Sequence, residues 1–227
     1  MLNDEGRARI TRAIETAEAK TAGEIFCVLA EEVSAYREVP LAWGAGIGFA
    51  VPPLLMLLGL HRLALAGIFT SWTDESQRAM EGLILRVLGT YGLVQAGLFV
   101  CVVLIVMLPG IRRAMTPGIL KSHRVRKAAR HHFVAAGARL SDAEPHILIF
   151  AAMKERRVEL VAHEAIHRAV GDRVWQQAVA AVTAGMKSGD PAAGFVRAIE
   201  ICGAALAAHY PAAGAPANRL PNTILET

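Results

Sequence analysis

The chain has 227 residues, a formal net charge of +4, and 54% hydrophobic against 19% charged residues, with a mean hydropathy of +0.38 and a pI near 9.2. That is more apolar than an ordinary soluble domain, yet too charged for a chain made only of membrane spans. The basic balance does not signal nucleic acid, and no nucleic-acid partner is expected. Seven of the cations (Arg112, Arg113, Lys121, Arg124, Arg126, Lys127, Arg130) crowd into one stretch without interleaved aromatics or a binding motif.

Asn3 is placed to cap a helix whose first turn carries Asp4 and Glu5 and whose face carries Ile10, Ile14 and Ala17, ending near Thr21 to Gly23. The apolar run from Glu24 to Ala30 reads as a buried strand, and no apolar run before it has the form of a signal peptide. Residues 41–60 contain no charge, and neither does the whole of 87–111. About 20 apolar residues are enough to cross some 30 Å of hydrocarbon, so both segments read as membrane spans, at about 41–60 and 87–109. Pro52 and Pro53 lie inside the first, and such breaks are tolerated where neighbouring helices or water satisfy the backbone. Gly44 and Gly48 in one span, and Gly92 and Ala96 in the other, offer small-residue faces for packing within the hairpin or for a homo-oligomer contact. The segment 61–86 between the spans reads either as a loop or as an interfacial helix.

The cations cluster after the second span, while 61–86 holds only Arg62, Arg78 and Arg86. Positive residues collect on the cytoplasmic side, so both termini are expected in the cytoplasm, under a bacterial inner membrane. Cys27, Cys101 and Cys202 are scattered and odd in number, as in a reducing compartment, and predict neither disulfide nor metal.

Beyond a basic juxtamembrane linker at 112–122, Val125, Ala129, Phe133 and Ala136 give a helix over 123–138, and Ser141 to Pro145 a loop. His146 to Ala152 and Arg157 to Ala162 read as a strand hairpin. A short helix over 163–170 precedes Gly171-Asp172. A longer one carries Trp175, Val179, Val182 and Met186, and Ser188-Gly189-Asp190-Pro191 then opens a last helix striped with Phe195, Ile199, Cys202 and Leu206. From Ala212 the Ala, Gly, Pro and Asn content suggests a loose tail over 212–227. A lone strand at 24–30 is not stable by itself. Joined to the strand at 146–152 through a crossover helix it makes a βαβ unit. The fold class is therefore α/β, one domain split into 1–38 and 123–211 by a hairpin over 39–111.

Thr21-Ala22-Gly23-Glu24-Ile25, Ile147-Leu148-Ile149-Phe150, Arg157-Val158-Glu159-Leu160-Val161, the Gly-Asp turns at 171 and 189, and Gly194-Phe195 occur in an order that resembles the TPM-domain family. That family includes thylakoid lumen and photosystem-repair proteins, a modulator of acetylcholine receptors, and many bacterial membrane proteins. The resemblance implies an α/β/α sandwich around a small mixed sheet. It also implies weak phosphatase activity or calcium binding in some members, and accessory roles in membrane complexes in others. The chain departs from the family in its inserted hairpin, and in His163-Glu164-Ala165 where a Gly-x-Gly turn often follows the last strand.

His163-Glu164-Ala165-Ile166-His167 matches H-E-x-x-H, in which two histidines one helical turn apart hold zinc and the glutamate activates water. The short helix is poor context, and a third ligand would have to come from Glu200 or His209. No phosphate-cradling glycine loop, Gly-x-Ser-x-Gly elbow or Asp-x-Asp pair is present, and Glu24, Glu159 and Asp172 read as solvated element ends. The expectation is thus a membrane protein acting as an accessory or scaffold factor, in contact with lipid and other membrane proteins and without a cofactor. The alternatives are a zinc-dependent membrane peptidase using His163, Glu164 and His167, and a weak phosphatase.

Overall fold

In the computed structural model, which describes residues 2–58, 77–138, 140, 145–212 and 219–227, the chain is mixed α/β. The elements are α1 (Asp4–Glu18), β1 (Glu24–Ala30), α2 (Glu38–Leu57), α3 (Gln77–Met107), α4 (Pro109–Met115), α5 (Gly118–Gly137), β2 (His146–Ala152), β3 (Arg157–Ala162), α6 (Glu164–Val170), α7 (Asp172–Ser188), α8 (Pro191–His209) and β4 (Leu225–Glu226). They divide into two units, one of Met1–Ala35 with Gly118–Thr227 and the other of Tyr36–Pro117.

In the first unit the sheet order is β3-β2-β1-β4. β1 runs parallel to both β2 and β4, while β2 and β3 form an antiparallel hairpin. Alternate residues serve two cores. Ile25, Cys27, Leu29, Ile147 and Ile149 meet Ile10 and Ile14 of α1, Ile166 of α6, Trp175 and Val182 of α7, and Phe195, Ile199 and Leu206 of α8. Val28, Leu148 and Phe150 meet Val125 and Ala129 of α5 on the other face. A sheet buried on both faces needs continuous apolar strands rather than alternating ones, which is what β1 and β2 are.

The termini of the helices follow from local chemistry. The Asn3 side chain accepts from the Gly6 amide at 2.8 Å, and Asp4 and Glu5 occupy the positive end of the α1 dipole. α1 stops at Glu18, short of 21–23, as the Lys20 and Thr21 amides turn back to the Ala17 and Glu18 carbonyls, and a Glu18 side-chain oxygen accepts from the Ile25 amide at 2.8 Å. α7 ends on Gly189 at φ +83°, and the Asp190 side chain caps α8 by accepting from the Ala193 amide at 2.9 Å.

In the second unit α2 continues through Pro52 and Pro53. Gly44 lies against Val103 and Phe99, and Gly48 against Phe99. Those two glycines are therefore used within the helix pair, whereas a Cβ at Gly92 would meet nothing within 4 Å. α3 starts well before the uncharged stretch and breaks at Leu108, where the chain turns by 100° into α4. Among the described residues, two helices are long and apolar enough to cross a membrane, through Glu38–Leu55 of α2 and Pro191–His209 of α8, and Tyr91–Met107 with Pro109–Met115 would qualify as one bent span. The first and last differ in what they do with that apolarity. α8 buries Phe195, Ile199, Cys202 and Leu206 in the core, while α2 leaves Phe49 68% and Leu57 85% exposed.

Three expectations need correction. The linker at 112–122 is helical, forming α4 and the first turn of α5. The chain after 212 is not loose at its far end: Leu220 and Ile224 are buried, β4 pairs with β1, and Thr227 exchanges backbone hydrogen bonds with Leu29 and Glu31. Glu24 is not a solvated strand end but is buried, and its carboxylate accepts from the Arg219 and Leu220 amides at 3.2 and 3.3 Å. Of the segment 61–86 expected as a loop or an interfacial helix, residues 61–76 lie outside the described residues, as do most of the loop at 141–145 and 213–218 of the tail.

Candidate functional site

The H-E-x-x-H residues straddle a helix start. His163 is the N-cap of α6, with extended ψ of 144°, so its side chain leaves the helical register that would set it beside His167. Its Nδ1 accepts from the Ala165 amide, and its ring lies 5.9 Å from the ring of His146, which stacks on Phe133 at 4.4 Å. His167 instead approaches Asp172, with Nε2 3.8 Å from Oδ1. Glu164 is paired with Arg168, whose hydrogen bond and charge hold its carboxyl below the usual range. A general base that must take a proton from water is poorly served by that pairing. Glu200 of α8 bonds Arg197 at 2.8 Å, and His209 lies in the exposed last turn of α8. Among the described residues no three His, Cys, Asp or Glu side chains are grouped to hold a metal.

Nor do the other carboxylates converge. Glu159 on β3 faces Arg126 at 3.7 Å, Asp172 sits in the first turn of α7, and Glu24 ties down the carboxyl-terminal segment. At the carboxyl end of β1, Lys154 bridges Glu31 and Glu32 at 3.0 and 3.1 Å, and the Lys154 hydrogen bond draws the Glu31 carboxyl below its ordinary value.

The residues from Thr21 to Ile25 have a structural task instead. Thr21 Oγ1 donates to the Tyr210 carbonyl at 2.6 Å and accepts from the Gly23 amide, and a Cβ at Gly23 would press Leu206 at 3.1 Å. Glu24 then holds residues 219 and 220. Glu24→Ala should cost on the order of 1.5–3 kcal/mol, the range for hydrogen bonds to a charged group. Hydrogen exchange at the Arg219, Leu220 and Thr227 amides should speed up while the Ile147 to Phe150 amides stay protected; uniform exchange would refute a local latch.

Beside that latch, burial holds the Glu18 carboxyl up at about 7, against 4.5 in an open chain, with Glu24 and Glu15 adding to the rise and the Ile25 amide opposing it. The folded state thus keeps a proton that the unfolded chain releases. The associated stability is whole below pH 4.5, declines as pH rises toward 7 and is level above it. The full change is on the order of 3 kcal/mol. Urea midpoints should fall across that window, and Glu18→Gln, which keeps an acceptor for Ile25, should flatten the slope; an unchanged slope would exclude Glu18 as its source.

Two surface grooves lie on the described part of the first unit. One, of about 600 Å³, runs between β3 and α7 past Leu160, Trp175 and Val179. The other, of about 530 Å³, runs between α1 and α8 over a floor of Ala13, Ala17, Gly203, Ala204 and Ala207, with Arg9, Arg12, Lys20 and Glu200 on its rims. Its floor is low because the helices touch: a Cβ at Gly203 would lie 2.6 Å from the Ala17 Cβ. Arg9 reaches Asp190 at 3.3 Å and Arg12 Nε donates to Ala8 O of its own helix, so with Lys20 the α1 rim carries excess positive charge among the described residues. An apolar floor under a cationic rim suits an amphipathic segment bearing carboxylates. This groove is the candidate site. The sequence carried a signal for it, a helical recurrence of Arg9, Arg12, Thr16 and Lys20 beside Ala13 and Ala17, but the second wall lies in a helix nearly 190 residues on.

No protein-family model matches this sequence, and neither does any curated protein. Among solved structures, the NMR structure of BA42 protein from the psychrophilic bacterium Bizionia argentinensis sp. nov. is similar, with a TM-score of 0.54 at 18% identity, covering 100% of this chain and 96% of that one. The likeness is one of fold.

Proposed function

We propose that the protein is a TPM-like α/β domain anchored in a bacterial inner membrane by the α2/α3 hairpin, acting as an accessory or scaffold factor without catalysis of its own. One observation carries this reading. The second unit leaves Phe49, Leu57, Leu93 and Leu104 between 61% and 85% exposed along helices without a charge from 41 to 58 and from 87 to 107. In water such a surface far exceeds the apolar patch a soluble monomer tolerates; in hydrocarbon it is the expected exterior. The cations after α3 favour a cytoplasmic location for both parts of the α/β unit, where the α1/α8 groove would engage an acidic segment of a membrane protein.

Single cysteines placed at exposed Glu5 and Lys187, in a chain with Cys27, Cys101 and Cys202 replaced, test the topology. Both should react with an impermeant maleimide only after the inner membrane is opened. Reaction at one position alone in intact spheroplasts would put the two parts on opposite sides and end the reading. A photo-reactive residue at Ala204 should cross-link a membrane partner, and Arg12→Glu with Lys20→Glu should abolish that product. Cross-linking indifferent to the charge reversal would remove the groove from the proposal.

A further inference from the structure

We infer that α4 is an elbow lying in the headgroup layer, latched to α2 by Trp43 and taking anionic lipid through Arg112; this rests on the membrane reading of α2 and α3. The turn at Leu108 is 100°, so a helix that follows α3 across the bilayer leaves α4 close to the membrane plane. Pro109 at the first position of α4 supplies no amide to continue α3, and Leu108 takes extended backbone angles, which fixes the corner in the covalent chemistry.

The corner is held from the neighbouring helix. The last carbonyls of a helix have no intrahelical donor, and in α4 one of these, Met115 O, accepts from the Trp43 indole N–H at 3.1 Å. Trp43 is 38% exposed and Leu41 beside it 55%, while Leu108 at the corner is 55% exposed. An indole with one polar contact and an open apolar flank is the side chain that settles at the level of lipid headgroups. Arg112 follows the corner directly, in a short helix whose own residues include no acid. Cations there attract an anionic membrane surface, the more so because a planar guanidinium binds phosphate oxygens in pairs. The chemistry recognised is the phosphodiester headgroup of an anionic lipid in the same leaflet.

The test uses the full chain with Trp72→Phe and Trp175→Phe, leaving Trp43 as the sole indole, in vesicles of phosphatidylcholine and phosphatidylglycerol in equal parts. Bromine near the top of the acyl chains should quench Trp43 more than bromine near their ends. At fixed lipid ratio, bromine carried on phosphatidylglycerol should quench more than bromine on phosphatidylcholine. Arg112→Gln should lower that preference by about fivefold. Strongest quenching from the chain ends, or an unchanged lipid preference in the arginine variant, would overturn the elbow while leaving the hairpin in place. Release of the protein by alkaline carbonate would overturn the membrane reading and the elbow with it.

Discussion

Val100→Arg combined with Leu104→Arg should abolish stable integration of the protein into the membrane. The two positions are one helical turn apart on α3, 51% and 61% exposed, and away from the face on which Phe99 and Val103 meet Gly44. Arginine near the centre of a span costs about 2.5–3.5 kcal/mol to insert, and each replaced residue forfeits a few tenths more, so the pair should cost about 6–8 kcal/mol. The same exchange on a helix exposed to water falls within about 0.5 kcal/mol and improves solubility. The two environments therefore predict opposite outcomes. Wild-type protein should stay with the membrane through alkaline extraction, while the variant is released or degraded. A variant that is recovered folded, at higher yield and without detergent, would mean that α2 and α3 do not face lipid.

That contrast also explains which parts of the fold can be read from the residue order. β1 and β2 are legible because Ile25 to Ala30 and Ile147 to Ala152 are apolar at every position, and a parallel pair buried on both faces demands that. α8 shows the limit of composition. It passes the same length and apolarity test as α2, and only the recurrence of Phe195, Ile199, Cys202 and Leu206 on one stripe marks it as a core helix. The docked carboxyl end was illegible because Leu220 and the pair Ile224-Leu225 are too few and too far apart to form a periodic pattern, and the carboxylate that captures the segment at Arg219 is Glu24, 195 residues away. The local geometry of the H-E-x-x-H residues was illegible for a related reason. Sequence spacing assumes that His163 and His167 share a helix, whereas His163 is the residue at which β3 hands over to α6. The α1/α8 groove needs both walls at once, and no local pattern pairs Lys20 with Ala207.

Gly185→Val should unfold the α/β unit, and Gly185→Ala should already weaken it although alanine is the better helix former. A Cβ at 185 would lie 2.6 Å from the Gly194 Cα and 2.7 Å from both the Gly194 nitrogen and the Asp190 carbonyl oxygen. All three are backbone atoms, so no side-chain rotation relieves the contact and α7 must move off α8. Helix propensity favours alanine over glycine by roughly 1 kcal/mol, whereas overpacking typically costs about 1–3 kcal/mol. With backbone opposing backbone, packing should win even for alanine. Valine adds two methyl groups in the same gap and should exceed about 3 kcal/mol, a large share of the roughly 5–15 kcal/mol that keeps a domain folded. Trp175 lies on α7 in the core these helices close, so its fluorescence in a Trp43→Phe, Trp72→Phe background reports the loss. Two other glycines calibrate the result. Gly92→Ala meets nothing within 4 Å and should be neutral or slightly stabilising, while Gly189→Ala, also without a contact but at φ +83°, should cost about 1–2 kcal/mol of left-handed backbone strain. If alanine at 185 raised the urea midpoint as propensity alone predicts, the close crossing of α7 and α8 would be wrong, and with it the placement of α8 that forms one wall of the groove.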